Sequence, residues 1–539
     1  MPTADVSDRS ANIRVRSFTQ RTGMSVLRCE LKQEPFMPDT TALYDQLCDH
    51  VRKTALLTST SALLEWDQHT KLPSAGGAYR SEQLTFLAGE IHRRRTSKSI
   101  GDLIGQLAQS DLAADPTSVT GCVISRLEKK FKRTSKMPVR LVEELTRACS
   151  TGQQVWVEAR KENDFAKFTP ALETIVRLKR EQADAIGYED CAYDALLDEF
   201  EPGAKTKEVA DVLERLRVDL VPLVEAIKAS SVEPPVEILH RSFPVADQEE
   251  FGRHASAQIG FDYQRGRLDI THHPFCTEIG PEDCRITTRY DEQFFSGSFF
   301  GTLHEAGHGI YEQGLDSEHY GLPAGQYCSL GIHESQSRLW ENLVGRSNSF
   351  WQHFYPDAQQ RFASLADVSL DDFYAAINHV APSLIRVEAD EATYNLHIII
   401  RFQLEQALIN GELAVSDLPE AWNAKYQDSL GIAPPTDADG VLQDVHWSAG
   451  LIGYFPTYSL GNLYASQFYD AAQAKLGDLE TMFAAGEFGP LKQWLNSNIH
   501  QPGQRWSSTE LGEKVTGESL SHDRLIKHLK KKLEPIYQL

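Results

Sequence analysis

Two histidines four residues apart, with a glutamate directly after the first, carry the clearest chemistry in this sequence. His304, Glu305 and His308 lie in the run Gly-Thr-Leu-His-Glu-Ala-Gly-His-Gly at 301–309. On a helix, positions i and i+4 share one face, so both imidazoles can reach a single zinc ion. That ion would polarise a carbonyl and lower the pKa of a bound water, for which Glu305 would be the general base. The spacing therefore predicts a hydrolytic metal centre.

A catalytic zinc ion usually has three protein ligands and one open position. A third histidine at position 314 is excluded, because residue 314 is a glycine. Glu334 is the predicted third ligand, since it opens a helical pattern downstream of His308, and Glu341 is the weaker alternative. The same nitrogen and oxygen ligands can hold Co²⁺, so we expect one Zn²⁺ per chain, with Co²⁺ as the alternative.

Composition narrows the class of protein. The chain has 54 basic and 76 acidic residues and a net charge of −22, which disfavours nucleic acid as a partner. No run of about 18 apolar residues occurs, so we expect no membrane span. The eight cysteines form no Cys-x-x-Cys pair, which indicates free thiols in a reducing, cytoplasmic compartment.

The elements that must hold these residues are mostly helical. Apolar residues recur at helical spacing along most of the chain, for example over 525–533. Residues 260–298 differ, because they are rich in Gly, Thr, Asp and aromatic residues, and 285–290 alternates like a strand. We therefore predict a mainly α protein, a large helical body with a small β-sheet beside the metal helix and a turn at Gly280-Pro281.

The domain organisation is predicted to be simple. Residues 1–38 are expected to form a disordered or additional leader, and residues 39–539 a single catalytic domain. The leader carries five arginines without an acidic residue between them over 9–28, which faintly resembles a transit peptide.

Six segments in order resemble the carboxypeptidase Taq family of zinc metallocarboxypeptidases, over roughly residues 40–539. These segments are His273-Pro274-Phe275, Asp283-Cys284-Arg285-Ile286-Thr287, His304 to His308, His333-Glu334-Ser335, Ile385-Arg386-Val387-Glu388-Ala389-Asp390 and Gly440 to Trp447. The resemblance implies a two-lobed helical body with a deep active-site groove, usually a homodimer. It also implies removal of single residues from the C-termini of unstructured peptides.

A carboxypeptidase must bind a free carboxylate, and the planar fork of arginine grips both oxygens. Arg386 is the first candidate, because it lies in the motif to which the resemblance assigns this role, and Arg285 is the second. His273, with Asp283 and Thr287, is expected to shape the β element, to whose edge an extended peptide could add as a strand. The alternative is that these three residues only build turn and strand.

The developing oxyanion also needs a hydrogen-bond donor. Tyr394 is one candidate, in a run that resembles a helix of angiotensin-converting enzyme where a tyrosine has this role, and His446 is the other. Each could instead be a core residue with a satisfied hydrogen bond. Asp444 and Trp447 are expected to support the site from behind, and Glu312 or Glu341 to orient a zinc histidine.

Two other functions fit the same motif. An oligopeptidase or a dipeptidyl carboxypeptidase could use the same metal site. A catalytically silent metal-binding interaction protein is the other alternative, but it would not need Glu305, which serves the chemistry and not metal binding.

Overall fold

Helices dominate the computed structural model, which describes residues 39–539; the predicted leader, residues 1–38, lies outside the described residues. The mainly α prediction is confirmed. The helices are α1 Thr40–Thr70, α2 Gly77–Thr96, α3 Lys98–Leu107, α4 Val119–Ser135, α5 Val139–Glu162, α6 Phe165–Ile186, α7 Ala192–Leu197, α8 Thr206–Ala229, α9 Val245–Ile259, α10 Phe295–Gly314, α11 Leu330–Arg338, α12 Asn348–Arg361, α13 Leu370–Ile377, α14 Thr393–Asn410, α15 Leu418–Leu430, α16 Pro456–Leu476, α17 Leu479–Ala484, α18 Gly489–Leu495, α19 Ser508–Thr516 and α20 Asp523–Tyr537.

One three-stranded sheet lies in the segment where the sequence predicts it. Its strands are β1 Gly266–Ile270, β2 Cys276–Gly280 and β3 Asp283–Thr288. The order is β1-β3-β2, with β1 parallel and β2 antiparallel to β3, so β2 and β3 form a hairpin that turns at the predicted place. The face of β3 that carries Ile286 packs on α10, where Ile286 approaches Gly309.

Most of the buried apolar side chains belong to one large core that includes α10, α11, α14 and α16. Two smaller clusters lie beneath the N-terminal helices α1, α3 and α4, around Leu47 and around Cys122. Within residues 39–539, no helix is long and apolar enough to cross a membrane.

The last helix, α20, is tied to the core by more than its apolar stripe. Leu525, Leu529 and Leu533 are buried, as their spacing predicts. Lys532 is also buried, and its Nζ lies 2.6 Å from a carboxylate oxygen of Glu391, just before α14. The same ammonium donates to the backbone carbonyl of Asn342, so α20 holds two segments near the site described next.

Candidate active site and metal centre

The helix α10 positions the zinc motif by burying the rest of its surface. Leu303 and Ile310 are fully buried, whereas His304 and His308 are only half-buried. A helix that is apolar almost all round must lie inside the protein. The two imidazoles therefore lie on the less buried side of α10, where polar groups of a neighbouring helix can reach them.

Glycines let the neighbouring helices come close enough to supply that group. A Cβ added at Gly307 would lie 2.6 Å from the carbonyl oxygen of Gln336 and 2.6 Å from the Cα of Ser337, so α10 and α11 pack backbone to backbone. A Cβ added at Gly461 of α16 would likewise lie 2.5 Å from the Cγ of Glu334. Gly307 and Gly461 thus let α10 and α16 pack closely against α11.

The packing brings three candidate ligands together. Glu334 Oε2 lies 3.7 Å from His304 Nε2 and 3.5 Å from His308 Nε2, and the three ligand atoms lie within 4.8 Å of one another. Two imidazole nitrogens and one carboxylate oxygen are a donor set that zinc accepts. The geometry of these three side chains therefore fits one divalent cation.

Glu341 and Arg338 hold two of the candidate ligands in place by hydrogen bonds. Glu341 Oε2 lies 2.8 Å from His304 Nδ1, which leaves Nε2 of that imidazole for the cation. Arg338 donates from Nε to Glu334 Oε1 at 2.7 Å and from Nη1 to Glu341 Oε2 at 3.2 Å. Glu341 thus contacts His304 and lies outside the group of three candidate ligands. A π-helical turn, Leu339–Val344, carries it directly after α11.

The other predicted orienting residue, Glu312, is engaged elsewhere. Its Oε1 lies 2.7 Å from His333 Nε2, and the ring of His333 stacks on that of His308 at a centroid distance of 4.4 Å. His308 Nδ1 is buried without a hydrogen-bond partner in the described part of the chain. Glu312 therefore supports His308 only through the stacked ring.

Glu305 lies next to the three ligands and is 6% exposed. Burial raises the pKa of Glu305 to about 7; the neighbouring His304 opposes that rise, while Glu334 and Glu341 add to it. A carboxyl group that titrates near neutrality can both accept and return a proton.

Arg386 belongs to a second buried cluster. Its Nε and Nη2 donate to Asp444 Oδ1 at 3.0 and 2.9 Å, and its Nη1 donates to Tyr394 Oη at 3.1 Å. Arg401 donates to the other oxygen of Asp444 at 2.6 Å. Two guanidinium groups share one carboxylate, so the cluster keeps one net positive charge.

Tyr394 links the Arg386 cluster to the three candidate ligands. Its ring lies beneath the guanidinium of Arg338, 4.3 Å from the ring centroid, while its hydroxyl accepts from Arg386. The structure thus brings the arginine behind Glu334 and the predicted carboxylate-binding arginine onto one tyrosine.

His446 lies beside Asp444 in the Arg386 cluster. Its Nδ1 is 3.8 Å from Asp444 Oδ1, and its Nε2 is 3.4 Å from the hydroxyl of Tyr458. Burial lowers the pKa of His446 to about 4, and the two arginines act in the same direction against the attraction of Asp444. The imidazole is therefore neutral at physiological pH.

Trp447, the residue after His446, donates its indole N–H to the buried Glu405 at 2.9 Å.

Two predicted substrate-binding residues lie apart from these clusters. Arg285 bonds Asp283 at 2.7 and 2.8 Å and stacks on Trp66 of α1, 4.3 Å from the ring centroid. It therefore lies on the face of β3 opposite to Ile286 and α10. His273 is exposed in the loop between β1 and β2.

Arg338 and Tyr458 were not predicted. Burial, Tyr454 and the charge of Glu334 raise the pKa of Tyr458, and the hydroxyl of this tyrosine lies 3.4 Å from His446 Nε2. The spacing of Arg338, four residues after Glu334, is the signal that could have identified it, because such pairs meet on one helix face. No local spacing connects Tyr458 to α11.

Comparisons with known proteins agree with this geometry. Residues 46–533 match the family described as carboxypeptidase Taq (M32) metallopeptidase. The chain is 47% identical to thermostable carboxypeptidase 1 of Thermus thermophilus and 40% identical to carboxypeptidase 1 of Bacillus subtilis, with 92% and 91% of this chain and 99% and 98% of those proteins covered. The crystal structure of M32 carboxypeptidase from Deinococcus radiodurans superposes with a TM-score of 0.90 at 40% identity, covering 92% of this chain and 100% of that one.

Proposed function

Since the chain belongs to the carboxypeptidase Taq family of metallopeptidases and is a metal-dependent carboxypeptidase, we propose that it removes single residues from the C-termini of unstructured peptides with zinc at His304, His308 and Glu334. The observation that carries this proposal is the meeting of those three side chains beside the buried Glu305.

The ligand set favours zinc over magnesium or calcium, which prefer oxygen ligands alone. When bound, zinc would polarise the scissile carbonyl and make the attacking water more acidic. Co²⁺ accepts the same donors and is the alternative cofactor.

The protein's own groups account for the proton transfers. Glu305 accepts a proton from the attacking water and returns it to the leaving amine. Its pKa of about 7, raised by burial, suits both directions of transfer near neutral pH. This role belongs to Glu305 because its carboxylate lies beside the ligands without being one of them.

Arg386 is the proposed anchor for the substrate's terminal carboxylate. A guanidinium has five N–H groups. Two of those of Arg386 donate to Asp444 and one donates to Tyr394. Nη1 and Nη2 therefore each keep one N–H without a partner among the described residues. Two parallel N–H groups are suited to a carboxylate. The net positive charge of the cluster favours an anion at this place, whereas Arg285 is already paired with Asp283.

Tyr394 and His446 remain the predicted donors to the oxygen of the scissile carbonyl. The hydroxyl of Tyr394 accepts from Arg386 and so keeps its own proton for donation. His446 is the second candidate, and Tyr458 joins them because its hydroxyl lies next to the His446 ring. His273 stays a proposed contact for the residues that precede the scissile bond.

The test combines chemistry with metal content. We expect wild-type protein to shorten peptides by one residue at a time in a mass-spectrometric time course, and chelation to stop the reaction until zinc is restored. Glu305→Gln should retain zinc but lose at least about 10²-fold in kcat, the usual contribution of a general base. Release of dipeptides, or cleavage of C-amidated peptides at the same rate, would favour the oligopeptidase or dipeptidyl carboxypeptidase alternative.

Two finer properties are also proposed. The resemblance implies a homodimer, which light scattering of the purified protein would test. A cytoplasmic location follows from the unpaired thiols, and cell fractionation would test it; the seven described cysteines form no disulfide.

A further inference from the structure

Three potential ligands share one face of the β2–β3 hairpin. Cys276 is paired with Ile286 across the hairpin, and Glu278 is paired with Cys284. Directly paired residues point to the same side of a sheet, and so do residues two apart on a strand. The side chains of Cys276, Glu278 and Cys284 therefore point toward α10, as Ile286 does.

The two sulfurs are separated by a distance that suits a metal ion. Cys276 Sγ and Cys284 Sγ lie 3.6 Å apart without a bond between them. Two thiolates on one tetrahedral zinc, each with a Zn–S bond of about 2.3 Å, are separated by about 3.8 Å. A cation could therefore bridge the pair with a shift of a few tenths of an ångström.

The surroundings of the thiols are negatively charged. The pKa of Cys276 is raised by its hydrogen bond to Cys284, by burial and by the carboxylates of Glu312 and Glu305. Burial and the charge of Glu312 likewise raise the pKa of Glu278, which has no hydrogen-bonding side-chain partner in the described residues. Cys284 is 2% exposed, whereas Cys276 is half-buried and gives access to the pair.

We propose that Cys276 and Cys284 form a second cation site, distinct from the His304–His308–Glu334 centre, for a thiophilic cation such as Cd²⁺ or excess Zn²⁺. The cation forms two metal–sulfur bonds and displaces the two thiol protons to solvent, so no oxidant or reductant takes part. Glu278 is the third ligand after a side-chain rotation, because it stands opposite Cys284 on the same face. Binding releases protons and therefore tightens as pH rises.

Occupancy of this site inhibits the peptidase. The face of the hairpin that carries the two thiols packs on α10, where Ile286 meets Gly309, and Glu305 lies one helical turn before Gly309. The bound cation attracts the carboxylate of Glu305 and draws it away from the attacking water. This consequence rests on the proposed function of Glu305, whereas binding itself does not.

The experiment titrates the zinc-loaded enzyme with Cd²⁺. We expect one equivalent of Cd²⁺ to bind, with the ultraviolet charge-transfer band of cadmium thiolates, in parallel with loss of peptidase activity. The catalytic centre has no sulfur ligand, so this band does not report cadmium bound there. X-ray absorption at the cadmium edge of the wild-type protein should count two sulfur neighbours, which needs no variant to fold.

Variants assign the ligands. Cys276→Ser and Cys284→Ser should each keep basal activity and lose the band, and the Cd²⁺ concentration for half-inhibition should rise at least tenfold. Cys191→Ser, which alters a half-buried thiol beside Asn410, is the matched control and should behave as wild type. A band that survives both hairpin variants, or fewer than two sulfur neighbours, would overturn the site. A band without inhibition would overturn only the effect on Glu305.

Discussion

Arg338 donates to the carboxylate oxygen of Glu334 that faces away from the two histidines, at 2.7 Å, while the other oxygen faces both imidazoles. The arginine thus decides which oxygen Glu334 presents to the cation. It also reaches Glu341, the residue that orients His304. One half-buried guanidinium therefore supports two of the three proposed ligands.

Replacement of Arg338 by lysine should weaken zinc binding. Lysine keeps the positive charge but cannot hold both carboxylates with a planar fork, so Glu334 loses its fixed orientation. Changes in such supporting residues cost about 10- to 100-fold in metal affinity. Competition with a chelator measures the effect, and Arg361→Lys, on the partly exposed surface of α12, is the control. Unchanged zinc affinity in Arg338→Lys would remove this role.

Replacement of Gly307 by alanine should separate α10 from α11. The new methyl group would meet backbone atoms at 2.6 Å, and a shift of either helix changes the distance between Glu334 and the two histidines. We expect a loss of about 1–3 kcal/mol in the free energy of unfolding together with reduced zinc content. Gly301→Ala on the same helix has its nearest neighbour at 3.8 Å and should be tolerated. Denaturant unfolding and metal analysis of both variants test this.

Replacement of Arg386 by lysine should affect substrates that end in a free carboxylate more than amidated ones. Lysine can still neutralise Asp444 but offers no paired N–H groups. The kcat/KM for a peptide with a free C-terminus, divided by that for its amidated form, should therefore fall by at least about tenfold. This factor corresponds to the usual contribution of a hydrogen bond to a charged group. An equal loss on both peptides would mean that Arg386 only holds Asp444 in place.

Replacement of Lys532 by methionine should destabilise the fold. Removal of one partner leaves Glu391 buried with only His528 at 2.9 Å, and breaking a buried ion pair costs about 3 kcal/mol. Lys531→Met, on the exposed side of α20, should change the free energy of unfolding by less than about 0.5 kcal/mol. Equal stability of the two variants would show that Lys532 contributes nothing.

The free energy of unfolding should fall in acid because the ion pair between Glu391 and Lys532 is lost. Burial alone would raise the pKa of Glu391, but Lys532 and His528 outweigh burial and lower it from 4.5 to about 2. A carboxyl group with a depressed folded pKa contributes stability that is complete above its unfolded pKa and is lost as pH falls toward the folded value. The contribution of Glu391 should therefore disappear between about pH 4.5 and 2. Lys532→Met should show less of this loss when unfolding is followed by circular dichroism across that range.

The sequence alone determined the features that depend on local periodicity. The spacing of His304 and His308 places both on one helix face whatever the rest of the fold does, and the alternation over 285–290 predicts a strand for the same reason. Glu334 could be predicted because few acidic residues open a helical pattern at a suitable distance.

Only the tertiary structure decided which distant groups meet. Asp444 joins Arg386 to Arg401, Tyr394 lies between two arginines, and Cys284 faces Cys276, although none of these contacts follows from helix or strand spacing. The sequence offers Arg386 as the first carboxylate anchor and Arg285 as the second, and only the structure shows that Arg285 lies against Trp66. The physical reason is that helix and strand periods fix directions within an element, whereas the close packing of α10, α11 and α16 at their glycines fixes distances between elements.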